Sequence, residues 1–455
     1  MRFHKVLHQK GFIALFFLLV IAFVIRLKDI MLFDEWFDCS YTRLMTEKSF
    51  KFLIFNPVDV HPTPNIFYLL QKFWSELFGY TIYTQRLLIA ILGIIFLISI
   101  FYITKRLKSP KIAFIATFLA TFSLSYIKYS QENRMYMLLS IFIIWAFYHY
   151  HSKNYILLSI FLTLSIYTHY YASFFLIFIL LDVILTKTLS KKLIKSLVTA
   201  FILLIPLVFH FFIQIHRIEG MWLKSPKITS ILSTYSYFMI IPSNTPMNDA
   251  LSGGILIIPI AIFISTFIFY KYSKLNMRLG IICLLVPLIV FISALMIKIP
   301  FHHRFLLMFG FGFYILLATG IERLSSCFWR NKTILFIILL LWAIFQSAYY
   351  HHYYSNPQNE LQMMNNALIC PAKVLHESPF SALPSMIYKP DCEHYVLTNL
   401  TEAQQRSAGF DVIERKHINS YNTTYDYYFK SLHKYMEGTA ILELDGISLI
   451  KNEKN

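Results

Sequence analysis

Eleven long apolar segments, separated by polar connections, fill most of the first 350 residues of this chain. Most of them approach the ~17 to 25 residues that an α-helix needs to cross the hydrocarbon core of a bilayer. Only 14% of the residues are charged, whereas soluble domains carry about 25%, so there is too little charge to cover a soluble surface. The sequence therefore predicts a mostly α, polytopic bundle of eleven transmembrane helices. The segments lie at about 11–25, 87–104, 112–127, 135–150, 155–169, 171–186, 196–213, 255–271, 279–297, 305–320 and 333–350.

The positive charge of the chain lies in short clusters between these segments rather than in one patch. Residues 1–350 hold 32 of the 41 Lys and Arg, whereas residues 351–455 hold 9 of them beside 12 acidic residues. Short loops rich in Lys and Arg stay on the cytoplasmic side of a membrane. The distribution excludes a nucleic-acid-binding surface. It also predicts that the basic N-terminus is cytoplasmic and that residues 351–455 are extracytoplasmic.

The acidic residues of the first 350 positions sort to one side in this topology. Ten of the twelve fall in outer connections, and the other two are Asp182 and Glu322. Carboxylates suited to acid–base chemistry therefore gather outside, which indicates an enzyme with an extracytoplasmic working surface. A transporter or flippase of lipid-linked saccharides is the alternative, because such proteins place ionisable groups within broken helices. Here Asp182 is the exception among nearly uncharged segments.

Two domains are predicted, at 1–350 and 351–455. The first is the transmembrane domain, whose first outer loop spans about 28–84, and the second is a small soluble α/β domain. The stretch 155–186 is predicted to be a helical hairpin that turns near His169, because this keeps its basic flanks on one side. Cys370 and Cys392 could form a disulfide in an oxidising compartment, but their spacing in the sequence leaves the pairing open.

Adjacent acids, Asp34 and Glu35, follow the first apolar segment. One such carboxylate can take a proton from an acceptor hydroxyl while its neighbour holds a sugar hydroxyl or a metal ion. Solvated charge at a helix end is the alternative. Further along the same loop, the prolines on either side of Thr63 restrict the backbone and present Asp59 and His61 at the next apolar segment. A rigid turn with incidental polar groups is the alternative there.

A run of polar side chains, Gln131, Glu132 and Arg134 followed by Tyr136, lies between two apolar segments. A short connector needs far less polarity, and an arginine at the outer end of a helix can meet a lipid phosphate. These residues are therefore predicted to bind substrate. The alternative is an ion pair between Glu132 and Arg134 that joins two helices.

The outer end of the tenth apolar segment carries His302, His303 and Arg304, shortly after Lys298. Cationic groups on this side break the charge rule, and a departure from a local rule often marks function. A phosphate or pyrophosphate ligand would account for them, as would lipid headgroups. Two histidines alone are a weak metal signal, so a divalent ion is possible but is not required by the sequence.

Five motifs in one order carry a family resemblance: Asp34-Glu35, His61 to Asn65 with Tyr68, Gly79 and Arg86, Ser130 to Tyr136, Thr168 to Tyr170, and His303 to Phe305. The chain resembles the multi-spanning glycosyltransferases of the GT-C class, specifically family 39. That family includes protein O-mannosyltransferases and bacterial aminoarabinose transferases acting on lipid A. Thr63 replaces the family's usual second proline, and Asn133 replaces a usual small residue, but neither change removes a carboxylate.

The resemblance implies an active site in an outer cavity above the helices and a sugar donor carried on undecaprenyl or dolichyl phosphate. It also implies inversion at the anomeric carbon, with Asp34 as general base and Glu35 beside it. The acceptor is expected to be a lipid, a glycan or a protein, and the membrane a bacterial inner membrane. A polymerase or ligase of surface polysaccharides, acting on pyrophosphate-linked oligosaccharides, is the alternative among enzymes.

The departing phosphate of such a donor carries negative charge, so a cation has to stabilise it as the glycosyl bond breaks. Arg304, together with Arg134 or with the pair His302 and His303, is expected to supply that charge.

Overall fold

The computed structural model is mostly α-helical, as the sequence predicts. The predicted site residues Asp59 and His61, and also Lys298, lie outside the residues that it describes. Those residues are 2–56, 62–215, 226, 235, 237–238, 273–297, 301–327, 332–355, 360–376, 379–397, 417–418, 427–431, 439–444 and 447–451.

The helices occupy most of the described chain. Besides the α-helices, the described residues form two 3-10 helices, Tyr170–Phe174 and His303–Phe309, and a π-helical turn, Ile281–Leu285. The α-helices are α1 (Arg2–Leu27), α2 (Phe37–Glu47), α3 (Phe50–Phe55), α4 (Ile66–Phe78), α5 (Ile82–Leu107), α6 (Pro110–Thr121), α7 (Leu124–Tyr129), α8 (Tyr136–His151), α9 (Tyr155–Thr168), α10 (Phe175–Thr186), α11 (Lys191–Leu203), α12 (Ile205–Ile215), α13 (Lys274–Gly280), α14 (Val286–Ile297), α15 (Gly310–Cys327), α16 (Lys332–Ser355), α17 (Glu360–Asn366) and α18 (Pro379–Tyr388).

Three of the described helices are long and apolar enough to cross a membrane, and a fourth span results if the pair α11 and α12, bent by 52°, counts as one. The three are Ile82–Leu107, Lys274–Met296 and His303–Arg323. Five shorter apolar helices add to them, among them Tyr155–Thr168 and Tyr170–Thr186. The chain is thus an integral membrane protein, and the number of eleven spans stays a prediction. The break between the last two helices falls at His169, where the sequence predicts a turn.

The apolar segment 112–127 differs from its prediction as a single helix, because it breaks between α6 and α7. Polar groups from distant parts of the chain bond the backbone and side chain at this break. The backbone N–H of Leu124 donates to Gln346 Oε1 at 3.1 Å, and the Ser123 hydroxyl donates to the carbonyl of Phe238 at 3.4 Å. A helix end can be buried when partners of this kind satisfy it.

The chain forms two compact units. The first consists of Met1–Lys28, Arg86–Pro206 and Leu223–Ser355, and the second of Asp29–Gln85, Leu207–Trp222 and Asn356–Asn455. The second unit therefore groups the first predicted outer loop with the C-terminal region, a grouping that hydropathy alone does not reveal.

A six-stranded mixed sheet lies in the C-terminal part of the second unit, and its strands are β1 (Lys373–His376), β2 (Glu393–Leu397), β3 (His417–Ile418), β4 (Tyr427–Ser431), β5 (Thr439–Leu444) and β6 (Ile447–Lys451). Their order in the sheet is β3-β2-β1-β4-β6-β5. Strand β1 pairs in parallel with β2 and β4, and β2 with β3, whereas β6 pairs antiparallel with β4 and β5. The helix α18 connects β1 to β2.

A small apolar core and a disulfide stabilise this C-terminal region. Met364, Leu368 and Val374 are buried together with Cys392. Cys392 forms a disulfide with Cys370, which resolves the pairing that the sequence leaves open. The bond ties the segment after α17 to the segment after α18.

A buried chain of hydrogen bonds joins the ends of β1, α18 and β2. His394 Nε2 donates to the carbonyl of Lys389 at 2.8 Å, so His394 Nδ1 can accept a hydrogen bond from His376 Nε2 at 3.0 Å. His376 Nδ1 then accepts from the hydroxyl of Ser381 at 3.1 Å. This arrangement requires two neutral imidazoles. Burial, followed by the neighbouring His394, lowers the pKa of His376 well below 6.5.

We expect this pair of histidines to make the protein less stable in acid. Because the pKa of His376 is lower in the folded than in the unfolded chain, its stabilising contribution is present above pH 6.5 and is lost progressively as the pH falls below it. The loss is about 1.4 kcal/mol for each pH unit. Thermal unfolding of the detergent-solubilised chain between pH 7.5 and 5 (roughly one unit above to 1.5 units below an ordinary histidine pKa) measures it. His376→Gln should flatten the dependence, and His351→Gln, at an exposed position, should not. Equal slopes in all three proteins would contradict the assignment.

Candidate active site

The paired acids of the second unit lie between α1 and α2, and both are buried, Glu35 to 1% exposure and Asp34 to 7%. Asp34 Oδ1 accepts hydrogen bonds from the backbone N–H of Gln362 at 3.1 Å and from the hydroxyl of Tyr388 at 3.4 Å. Since α1 already ends at Leu27, these acids are not solvated charge at a helix end. Both acids are buried, and the Asp34 carboxylate is hydrogen-bonded.

Glu35 is held through its backbone on both sides. Its N–H donates to the Tyr388 hydroxyl at 2.7 Å, and its carbonyl accepts from the Ser40 hydroxyl at 2.8 Å. Burial lowers the pKa of Arg43 in α2, while the charges of Glu47 and Glu35 act in the opposite direction. The Glu35 carboxylate therefore acts electrostatically on Arg43. The two adjacent acids have different surroundings, which is the condition for two carboxylates to take different roles.

The motif around Asp59 and His61 is described only from Pro62 onward. Thr63 is fully buried, and Asn65 begins α4 by accepting hydrogen bonds from the backbone N–H groups of the second and third helical residues at 2.9 and 3.3 Å. Such a cap fixes where the helix starts. The assignment of Asp59 and His61 to substrate binding stays a prediction.

In the first unit, five consecutive polar residues, 130–134, connect α7 to α8, and all five are buried. The side chain of Gln131 donates to the carbonyls of Arg26 at 3.1 Å and Lys28 at 2.7 Å. The Ser130 hydroxyl accepts from Arg26 Nε at 3.1 Å. The first half of this motif therefore binds the C-terminal end of α1. Gln131, which the sequence assigns to substrate binding, uses its amide group to cap that helix.

A close approach at Gly93 makes the Arg26 contact possible. A Cβ at this position would lie 2.3 Å from Ser130 Oγ and 3.0 Å from Arg26 Nε. Arg26 is completely buried, and its guanidinium also donates to the carbonyl of Ala22 at 3.0 Å. Buried charge is tolerated where hydrogen bonds of this kind surround it. The sequence alone does not indicate this role for Arg26, because there it is only a charged residue at the end of an apolar segment.

Three motifs that are distant in the sequence meet in the first unit around His169. Its ring centroid lies 6.3 Å from that of Tyr136 and 5.0 Å from that of Phe305. Burial, followed by the charges of Arg134 and Arg304, lowers the pKa of His169 to about 3. The tertiary structure thus brings the 130–136, 168–170 and 303–305 motifs together, and His169 joins the candidate site as a neutral ring.

Arg304 is a buried cation among aromatic rings. Its guanidinium lies 5.8 Å from the ring centroid of Tyr136 and 5.6 Å from that of Phe305. Its backbone N–H donates to His302 Nδ1 at 3.2 Å. Burial, followed by the charge of Arg304, lowers the pKa of His302 to about 2. His302 is therefore neutral at physiological pH, and Arg304 carries a positive charge beside it.

Tyr237 contributes to this cluster from a part of the chain in which the sequence indicated no motif. Its hydroxyl is hydrogen-bonded to that of Tyr129, and its ring centroid lies 6.0 Å from His302 and 5.5 Å from His303. The ring of Tyr129 also packs edge-on against Tyr136 at 5.2 Å. Nothing local in the sequence distinguishes Tyr237 from the chain's other tyrosines, so only its tertiary contacts reveal it.

The described residues include no group of three or more His, Cys, Asp or Glu side chains that could hold a metal ion. Each unit carries its own group of candidate residues: the second unit has the Asp34 and Glu35 pair, and the first has the arginine and aromatic cluster. The acid pair offers a fixed carboxylate for proton transfer. The cluster offers cations and aromatic faces suited to a phosphate and a sugar.

Asp182, the acid within an apolar segment that a transporter would be expected to have, forms an ion pair with Arg278 inside the first unit. Arg278 donates to both of its carboxylate oxygens, at 2.9 and 2.8 Å, and Tyr150 donates to Oδ2 at 2.6 Å. Arg278 also bonds to His151 Nδ1 at 3.0 Å. These contacts join α8, α10 and α13. The charge of Asp182 is therefore used to hold three helices together.

Known proteins are similar to this chain in fold and, over part of its length, in sequence. Residues 60–213 match the sequence model of a family described as dolichyl-phosphate-mannose-protein mannosyltransferase. No curated protein matches the chain in sequence. The crystal structure of ArnT from Cupriavidus metallidurans in the apo state is similar with a TM-score of 0.68 at 11% identity, over 97% of this chain and 98% of that one.

Two further structures agree. ArnT from the same organism bound to undecaprenyl phosphate gives a TM-score of 0.62 at 12% identity, over 97% of this chain and 98% of that one. The archaeal oligosaccharyltransferase AglB from Archaeoglobus fulgidus, in complex with an inhibitory peptide and a dolichol-phosphate, gives 0.50 at 13% identity, over 91% of this chain and 69% of that one. The resemblance seen in the motifs is therefore confirmed: this chain has the fold of the GT-C glycosyltransferases ArnT and AglB, and its residues 60–213 match the sequence model of the dolichyl-phosphate-mannose-protein mannosyltransferase family.

Proposed function

We propose that this chain transfers a sugar from a polyprenyl-phosphate donor to a lipid, glycan or protein acceptor on the extracytoplasmic side of the membrane. The observation that carries the proposal is the buried Asp34 carboxylate, whose Oδ1 accepts two hydrogen bonds. A general base has to be oriented toward one proton, and this fixation serves that purpose. The ligands of the fold relatives agree, since ArnT is solved with undecaprenyl phosphate and AglB with a dolichol-phosphate.

In the proposed reaction, Asp34 takes the proton of an acceptor hydroxyl while the oxygen of that hydroxyl attacks the anomeric carbon. The bond from this carbon to the phosphate oxygen breaks, and its electron pair leaves with the polyprenyl phosphate. A single displacement of this kind inverts the configuration of the sugar. Glu35, whose charge acts on Arg43, is assigned to a sugar hydroxyl beside the base.

The departing phosphate is assigned to Arg304 and Arg134. Both side chains are buried in the first unit, where a cation interacts more strongly than in water. A planar guanidinium also matches phosphate oxygens with two parallel hydrogen bonds. Because His302 is neutral, arginine rather than histidine is the proposed source of charge. Further substrate contacts are assigned to Glu132, Tyr136 and His303, as well as to Asp59 and His61.

The disulfide between Cys370 and Cys392 supports the orientation of the proposed enzyme. Disulfides persist in oxidising compartments and are rare in the cytosol. Both cysteines belong to the same compact unit as Asp34. An extracytoplasmic acceptor is therefore part of the proposal.

The test is an assay in sealed vesicles, with polyprenyl-phosphate sugars and acceptors supplied only at the extracytoplasmic face. We expect at least one donor to release one polyprenyl phosphate for each sugar transferred. In the same assay Arg304→Gln should lower kcat about 100-fold, the effect of removing one charge-stabilising group. Arg323→Gln, at an exposed position, is the matched control and should keep the wild-type rate.

Each other outcome of that assay selects a different function. Release from pyrophosphate-linked oligosaccharides alone would indicate a polymerase or ligase. Movement of the lipid-linked sugar across the vesicle membrane without release would indicate a flippase. Absence of both release and movement would overturn the proposed transferase.

A further inference from the structure

Tyr388, the last residue of α18, lies against the two adjacent acids of the second unit. Its hydroxyl accepts a hydrogen bond from the Glu35 N–H at 2.7 Å and lies 3.4 Å from Asp34 Oδ1. We propose that Tyr388 is a positioning residue for the general base, so that the C-terminal region completes the catalytic site. This inference rests on the proposed function, since it concerns the same carboxylate.

The direction of these hydrogen bonds is set by the number of protons. A phenol has one proton, and the Glu35 N–H already occupies one of its oxygen lone pairs. The proton of Tyr388 is then directed to Asp34 Oδ1. The result is a relay from the Glu35 amide through the Tyr388 hydroxyl to the Asp34 carboxylate. Replacing the tyrosine removes a donor from the base and an acceptor from its neighbour at once.

A second donor to the same oxygen comes from α17, where the backbone N–H of Gln362 lies 3.1 Å from Asp34 Oδ1. Hydrogen bonds to a carboxylate favour its ionised form. They also hold the side chain in one rotamer, so that the other oxygen has a defined direction. Asp34 is thus oriented by two elements that are more than 300 positions away in the sequence.

The disulfide links these two elements. Cys370 follows α17, Cys392 follows α18, and the Cys392 N–H donates to the carbonyl of Lys389, the residue after Tyr388, at 3.2 Å. In addition, α18 packs against both α2 and α17. The groups that fix Asp34 are therefore part of one cross-linked structure. This gives the C-terminal region a role in catalysis as well as in folding.

The experiment compares Tyr388→Phe with Tyr395→Phe. The first variant keeps the ring and loses only the hydroxyl, whereas Tyr395 bonds to Glu393 on β2 and serves as the matched control. We expect Tyr388→Phe to lower kcat roughly tenfold, as for a hydrogen bond to a charged group, with the donor KM unchanged. The acid limb of its kcat profile should move up by about one pH unit. Tyr395→Phe should match the wild type in all three.

A second measurement uses the wild-type protein, so its result does not depend on whether a variant folds. Reducing the Cys370–Cys392 disulfide in the wild-type protein should lower kcat and move the acid limb in the same direction, because α17 and α18 lose their covalent link. Unchanged kcat and pH profile in both Tyr388→Phe and the reduced protein would overturn the inference while leaving the proposed function in place. A lower kcat with an unmoved acid limb would show a structural role only. Absence of turnover by the wild type would overturn both.

Discussion

Sugar transfer by Asp34→Asn is expected to be roughly 10³-fold slower than by the wild type, because an amide cannot take the proton of the acceptor. The substitution keeps the shape of the side chain, and its oxygen can still accept the hydrogen bonds from Gln362 and Tyr388. Folding should therefore be preserved, and the loss should lie in the chemical step. The measurement is the rate of polyprenyl phosphate release at saturating donor and acceptor.

Two further variants locate the base. Asp29→Asn is the matched control, because Asp29 has a φ of 58°, a conformation that asparagine adopts readily, and it should keep the wild-type rate. Glu35→Gln should keep more activity than Asp34→Asn. If Asp34→Asn turned over at the wild-type rate and Glu35→Gln did not, Glu35 would be the base.

Asp182→Ala is expected to destabilise the protein by about 3–5 kcal/mol, the effect of leaving the partner of a buried ion pair uncompensated. Asp182 is completely buried, and both of its oxygens bond to Arg278. Its loss also removes the partner of the Tyr150 hydroxyl. Thermal unfolding of the detergent-solubilised protein measures the effect as a lower midpoint.

The double variant Asp182→Ala/Arg278→Met distinguishes a structural ion pair from a transport site. It removes both charges, so it should be more stable than Asp182→Ala alone, and the double-mutant cycle gives the coupling between the two residues. An Asp182→Ala protein as stable as the wild type would contradict the assignment of Asp182 to a structural ion pair. Loss of sugar movement in such a stable protein would favour a transporter.

The Asp34 and Glu35 pair shows what can and what cannot be predicted from the local sequence. Two adjacent acids after an apolar segment can be recognised without a structure, and the motif resemblance to GT-C glycosyltransferases is confirmed by the fold. Their burial could not be read from the sequence, since an acidic pair at a helix end is ordinarily solvated. It depends on Gln362 and Tyr388, which no local pattern connects to Asp34.

For the cationic motif at 302–304, the sequence does not determine which side chains are charged. The sequence shows side chains that can carry charge, but whether a histidine does so depends on burial and on neighbouring charges. His302 accepts a hydrogen bond from Arg304 and is neutral. The amide group of Gln131 bonds to the carbonyls of Arg26 and Lys28, a contact that no local pattern indicates, and its assignment to substrate binding stays a prediction.

The sequence by itself determined that this chain is a mostly helical membrane protein and indicated which motifs carry chemistry, because hydropathy, charge bias and short motifs are local properties. The tertiary structure decided which of those motifs meet. It brought His169 beside Tyr136 and Phe305, paired Asp182 with Arg278, and joined the C-terminal region to Asp34. Such contacts depend on the packing of distant segments, and the burial that follows sets the charge and orientation of each side chain.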